Sequence, residues 1–289
     1  MKNNNYQQLT RTFQRLSRFS HLSSIASWDM FTMMPPGGSA ARGEALAEMS
    51  VLQHQILTDK KVGEWLAAAA DEDLNDVELA NLREMTRYYQ QATLLPESLV
   101  EAKSLAGSRC EHAWRTQRPA NDWQGFSANL KEVVILSREE ARLRAEAKGC
   151  TPYDALLDIF EPDMTSARLD VLFGDLKSWL PELLAKVVEK QAQRSFVPPQ
   201  GPFPTATQRE LGLEAMKMLG FDFNGGRLDV SAHPFCGGVP EDVRITTRYD
   251  EDELLSALFG VIHETGHARY EQNLPRAWAG QPVALARST

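Results

Sequence analysis

The pattern His263-Glu-Thr-Gly-His267 sets two histidines four residues apart with a glutamate directly after the first. It constrains the fold because the two rings can act together in only one common conformation. On an α-helix, side chains at i and i+4 stand one above the other on the same face, whereas on a strand they would be about 13 Å apart. The flanking residues read as helix. Asp250 and Glu253 have capping-box spacing, with Asp250 as the N-cap. Asp250, Glu251, Asp252 and Glu253 place negative charge at the positive end of the helix dipole. Leu254, Leu255, Leu258, Phe259 and Ile262 are expected to form a buried stripe, and the helix to run to about Gln272, before Pro275.

Two imidazoles so placed can converge on one Zn²⁺ at about 2.0–2.1 Å each. Glu264 then faces the same site as a base for water, not as a ligand. The ion brings the pKa of water down towards about 7 and polarises a scissile carbonyl. Glu264 passes the proton on to the leaving amine. A third protein ligand is required. The extended form of the motif would need glycine at position 270 and histidine at 273, but the chain has Tyr270 and Asn273. A carboxylate from a separate segment is therefore expected. Glu271 lies at i+4 from His267 but at i+8 from His263, so one straight helix cannot aim all three at one ion. Residues 272–289 contain no Asp, Glu, His, Cys or Tyr. The third ligand is expected either upstream or outside this chain.

Most of the remaining sequence reads as helix. Apolar residues recur at helical spacing over residues 3 to about 19 (Tyr6, Leu9, Phe13, Leu16), and strong helix formers fill 39 to about 57 and 73 to about 94. Pro96 opens a further helix. Another spans 123 to about 148 with Leu130, Val133, Val134 and Leu136 as its apolar face, and one spans 165–194, interrupted or kinked near Pro181. Pro and Gly mark breaks at 34–38, 148–152 and 197–204. Beyond residue 220 the texture changes. Residues 220–230 alternate and carry glycines, and 242–249 read as a strand with Val243, Ile245 and Thr247 on one side and Arg244, Thr246 and Arg248 on the other. Zinc peptidases often use such a strand to hold an extended substrate by main-chain hydrogen bonds. The expected architecture is mainly α: a single domain over 1–289, helical over 1–196 and mixed over 205–289.

With 31 basic and 39 acidic residues the net charge is −8, which argues against a nucleic-acid partner. No apolar run approaches a membrane span, and the N-terminus lacks a signal-peptide core. Cys110, Cys150 and Cys236 are odd in number and without a CxxC pair, so a reducing, cytoplasmic location is expected.

His263-Glu-Thr-Gly-His267, His233-Pro-Phe235 and Asp242-Val-Arg-Ile-Thr246, in that family's order and approximate spacing, resemble the thermostable carboxypeptidase Taq family of metallocarboxypeptidases. Ser27-Trp-Asp29 with residues 34–38, and residues 153–165, resemble further signature blocks, so the resemblance covers the whole chain. It implies a mostly helical, zincin-related fold with a deep cleft and a small sheet beside the HExxH helix. It implies a homodimer, zinc or cobalt, and removal of C-terminal residues from peptides with broad specificity. By position, His263 and His267 would be metal ligands and Glu264 the catalytic base, while His233, Asp242, Arg244 and Thr246 would line or brace the cleft. In that family a Glu shortly after HExxH is the third ligand. By that spacing it falls just past Thr289, so the chain is expected to be an N-terminal portion, to expose apolar surface, to associate, and to be inactive by itself. A related helical oligoendopeptidase and a non-catalytic homologue are the alternatives. From the residues alone, Arg244 serves equally well as a contact for a substrate carboxylate or as one half of an ion pair with a neighbouring helix.

Overall fold

The structure, a computed structural model, describes residues 4–195 and 197–285. Residue 3, expected to begin the first helix, and residues 286–289 lie outside them. Asn4 accepts a hydrogen bond from the Gln7 N–H and so caps α1 (Asn5–Thr32), which runs well past residue 19. It is followed by α2 (Ser39–Thr58), α3 (Lys60–Ala69) and α4 (Asp76–Thr93). The α3 helix escapes the sequence reading because only ten residues carry it, with Asp59 as its cap. A capping box of Asn75 and Glu78 starts α4. Tyr6, Leu9, Phe13 and Leu16 of α1 meet Val62, Leu66 and Ala69 of α3 and Leu82 and Met85 of α4 in the first core.

Pro96 precedes α5 (Glu97–Gln117), and α6 (Trp123–Lys148) ends at Gly149, whose φ of +67° provides the left-handed C-terminal turn. The expected apolar face of α6 is not its buried one. Val134 is exposed, and burial falls on Glu140, Ala141, Arg144 and Ala145 nearer the C-terminus. There Glu140 meets both Lys103 and Arg144, so charges can be buried because they are paired. The short α7 (Pro152–Phe160) is capped by Thr151. In α8 (Ser166–Ala192) Pro181 sits inside a continuous helix, not an interrupted one. None of its residues is buried.

After α9 (Thr205–Met218) come β1 (Gly226–Val230), β2 (Phe235–Val239) and β3 (Asp242–Thr247), then α10 (Leu254–Gln272). The sheet order is β1-β3-β2, with β1 parallel and β2 antiparallel to β3. Val243, Ile245 and Thr247 are buried, as the alternation requires, and Val243 and Ile245 join Met216, Phe221, Leu228, Val261 and Ala268 in the second core. Both edges of β3 are occupied, so β1 and β2, the latter absent from the sequence reading, are the two outer strands.

Two expectations about α10 are corrected. Its N-cap is Glu253, which accepts from the N–H groups of Leu255 and Ser256. Asp250 is already engaged in the preceding turn, where its carbonyl accepts from Glu253 N–H and from Gln208 Nε2. Its buried face consists of Ala257, Val261, Glu264, Thr265 and Ala268, while Leu255, Phe259 and Ile262 are exposed. Close approach selects the smaller residues. A Cβ at Gly212 of α9 would lie 3.4 Å from Val261, and Thr247 Oγ1 lies 3.4 Å from the Ala257 carbonyl. Among the described residues no helix is long and apolar enough to cross a membrane.

Candidate metal centre

The α10 helix presents both histidines on one face, as the i, i+4 spacing requires. Their Nε2 atoms lie 3.2 Å apart and their rings are inclined at 78°. A tetrahedral ion with two bonds of about 2.05 Å holds its donors about 3.3 Å apart, so the pair already has the separation that one zinc imposes. Glu264, next to His263 in the chain, is buried, 8% exposed. It lines a cleft of about 1070 Å³ together with His267, Glu271, His233 and Cys236, and the far wall is the middle of α1, including Arg18 and His21.

Burial pushes the Glu271 carboxyl above its ordinary range against the pull of His267. Burial, reinforced by the carboxylates of Glu264 and Glu271, pushes the Cys236 thiol up to about 12. Cys236 is therefore a neutral thiol at pH 7, not a nucleophile. Among the described residues there is no group of three or more His, Cys, Asp or Glu side chains able to hold a metal. The described residues upstream of α10 thus bring no third donor to the pair, and the residues described fit two ligands of an ion plus a base.

The other expected site residues divide. His233 lines the cleft. Thr246 is fully buried behind it and acts on the cleft wall through hydrogen bonds. Its hydroxyl accepts from Phe235 N–H at 3.0 Å and lies 2.7 Å from the Ser231 hydroxyl, which donates to the His233 carbonyl at 2.6 Å. Asp242 and Arg244 pair with each other along β3, with Nη2 to Oδ2 at 2.7 Å, and the guanidinium lies 4.6 Å from the centre of the Trp28 ring. Arg227 stacks on the same ring at 5.5 Å. The hydrogen bond and charge of Arg244 hold the Asp242 carboxyl below its usual range in spite of partial burial. The partner of Arg244 is thus on its own strand and not on a neighbouring helix, and this pair faces α1.

The cleft wall itself, residues 237–241, and its anchor Ser24 were not singled out from sequence. The available signal was Val239-Pro-Glu-Asp242, a two-residue turn between two short extended runs.

A helical HExxH metallopeptidase is the class that this fold and this His-Glu-His geometry define. Residues 8–289 match the carboxypeptidase Taq (M32) metallopeptidase family, and the chain belongs to that family. It is 38% identical to thermostable carboxypeptidase 1 of Thermus thermophilus over 96% of this chain and 57% of that protein. It is 34% identical to carboxypeptidase 1 of Bacillus subtilis over 92% and 54%. Metallocarboxypeptidase 1 of Trypanosoma cruzi superposes with a TM-score of 0.86 at 49% identity, covering 98% of this chain and 58% of that one. The chain therefore spans a little over half the length of these relatives.

Proposed function

We propose that the chain carries the metal-binding helix and base of a metallocarboxypeptidase that removes C-terminal residues from peptides with broad specificity. The observation that carries this reading is the pair of Nε2 atoms 3.2 Å apart beside the buried Glu264, at the cleft. His263 and His267 hold the ion, zinc or alternatively cobalt. When bound, it supplies Lewis acidity, which acidifies water towards a pKa of about 7 and polarises the peptide carbonyl. Glu264 takes the proton from the attacking water as its oxygen bonds to the carbonyl carbon. It then delivers that proton to the amine nitrogen as the C–N bond breaks. His233 contacts the substrate across the cleft, and Thr246, Asp242 and Arg244 keep the wall and the sheet in place. The assembly proposed is a homodimer.

The test is release of C-terminal amino acids from short peptides. It is expected to stop with a chelator and with Glu264→Gln, and survival of full activity in that variant would refute the mechanism. Amidating the peptide C-terminus separates exopeptidase from oligoendopeptidase, since only the latter would still cut. One observation favours a second reading, in which these 289 residues alone bind metal weakly and turn over slowly: the described residues supply two donors, not three. Elemental analysis tests it, because tightly held stoichiometric zinc would contradict it.

A further inference from the structure

Resting on the peptidase reading, we propose that Arg18 of α1 is a specificity-determining residue: it pairs with an acidic side chain of the peptide, about three residues upstream of the bond that is cut.

The charges in the cleft single out this residue. Among the described residues that line it, Arg18 is the one lysine or arginine, set against the carboxylates of Glu241, Glu264 and Glu271. Glu241 is already taken, with an oxygen 2.6 Å from Arg276 Nη1. Glu264 is the base, and burial holds the Glu271 carboxyl above its ordinary range. At the far end of the cleft, burial holds His54 below the usual histidine range, so it is neutral at pH 7. Arg18 is exposed, and among the described residues its guanidinium makes no ion pair, side-chain hydrogen bond or ring contact. It is the free cation of the cleft's described lining, on the wall opposite the metal pair.

The rise of α1 measures how far along the cleft Arg18 lies. Ser24 marks the near end. Its hydroxyl meets Gly238 of β2 at 3.2 Å, and α10 packs on the same strand. Phe13 marks the far end, against Tyr88 of α4 with ring centres 6.4 Å apart. All three side chains line the cleft. At 1.5 Å per residue α1 carries this wall for about 16 Å, and Arg18, six residues before Ser24, stands about 9 Å along it. An extended peptide advances about 3.3 Å per residue, so Arg18 faces a position about three residues from the reacting bond.

A carboxypeptidase has only one substrate residue beyond that bond. Three residues away is therefore upstream, and the group met there is a side chain, not the terminal carboxylate. The side chains whose shape and charge match a guanidinium are those of Asp and Glu.

Acetylated hexa-alanine with a free C-terminus, and a series in which one Glu is moved through it, test this by NMR titration of the chelator-treated 289-residue chain. Glu at one of the third to fifth residues from the C-terminus is expected to tighten binding about threefold to fivefold, the scale of one exposed ion pair. About 1 M salt, where the screening length is about 3 Å, is expected to remove the gain. Arg18→Gln should remove it at any salt, and Arg18→Glu should transfer it to Lys at the same peptide position. No gain at any position, a gain confined to the last two residues, or a gain that survives Arg18→Gln would each overturn the proposal. A loss of hexa-alanine affinity on Arg18→Gln that disappears when the peptide is amidated would place the terminal carboxylate at Arg18 and overturn it as well. Peptide cleavage by the zinc-loaded chain with no such gain would sink the proposal and leave the peptidase reading standing. An Arg18-dependent gain without cleavage would do the reverse.

Discussion

Thr246→Val tests whether the wall of the cleft is held by a buried hydroxyl relay. Valine keeps the shape of threonine and removes only Oγ1. The side chain is fully buried, so no water replaces the lost group. Phe235 N–H loses its acceptor at 3.0 Å, and the Ser231 hydroxyl loses a neighbour at 2.7 Å. Leaving a buried donor unpaired costs about 1–3 kcal/mol, and a hydroxyl–hydroxyl bond contributes about 0.5–1.5 kcal/mol. The expected destabilisation is therefore about 2–4 kcal/mol. In thermal unfolding that is a fall in Tm of about 4–8 °C, at about 2 °C per kcal/mol for a chain of this size. Because Ser231 and Thr246 act as one unit, a double-mutant cycle with Ser231→Ala is expected to show a coupling of at least about 0.5 kcal/mol. Thr246→Val within about 0.5 kcal/mol of the parent, or strict additivity with Ser231→Ala, would refute the relay.

Gly238→Ala is expected to destabilise the hairpin by about 1–3 kcal/mol from its φ of +96° alone, with more from a Cβ placed 2.1 Å from the Asp242 carbonyl oxygen, as read by urea unfolding. His263→Ala and His267→Ala should each weaken zinc binding by at least about a hundredfold in calorimetry, more than loss of an outer partner of a ligand costs. Equal affinity in either variant would place the ion elsewhere. Stability should also fall in acid. Burial alone would push the Asp158 carboxyl up, but hydrogen bonds from Lys148 and the Asp163 N–H, with the charges of Arg87 and Lys148, hold it below its usual range. A depressed carboxyl contributes stability that is present above its unfolded pKa of about 3.9 and lost as pH falls through the folded value. Asp158→Asn should therefore lower stability at pH 7 and flatten its loss below about pH 4.

The centre was legible because the i, i+4 rule has one geometric outcome, and His263 and His267 meet it at 3.2 Å. The end of α10 at Gln272 and the span of α6 followed from equally local signals, Pro275 and Gly149. What failed was the identification of the buried faces of α6 and α10, whereas those of α1 and β3 fell where the periodicity put them. Leu255, Phe259 and Ile262 are among the largest apolar side chains on α10 and are exposed, yet Ala257, Val261 and Ala268 are buried, because the closeness of α9 and β3 selects for smaller residues. β2 was missed for a related reason. Its Cys-Gly-Gly centre has little strand propensity, and its pairing depends on β3 and on Ser24, which is 214 residues away in sequence from Gly238.

The helix α8 carries the consequence with the widest reach. Phe173, Leu180, Leu183, Leu184 and Val187 fall on one side at 100° per residue, and each is 41–51% exposed except Leu184 at 58%. Covering the exposed half of such a side chain is worth about 1 kcal/mol, so two facing stripes offer on the order of 10 kcal/mol. Association costs about 4–15 kcal/mol in lost freedom. The two magnitudes nearly cancel, which predicts a concentration-dependent equilibrium and not a permanent oligomer. Sedimentation from about 1 to 100 µM should show the average mass rise with concentration. Leu180→Glu with Leu184→Glu should abolish that rise and leave the Tm unchanged, because neither residue contributes to a core. A chain monomeric throughout that range would show that this stripe does not bind itself, and a large fall in Tm on the double substitution would show that α8 is packed within its own chain.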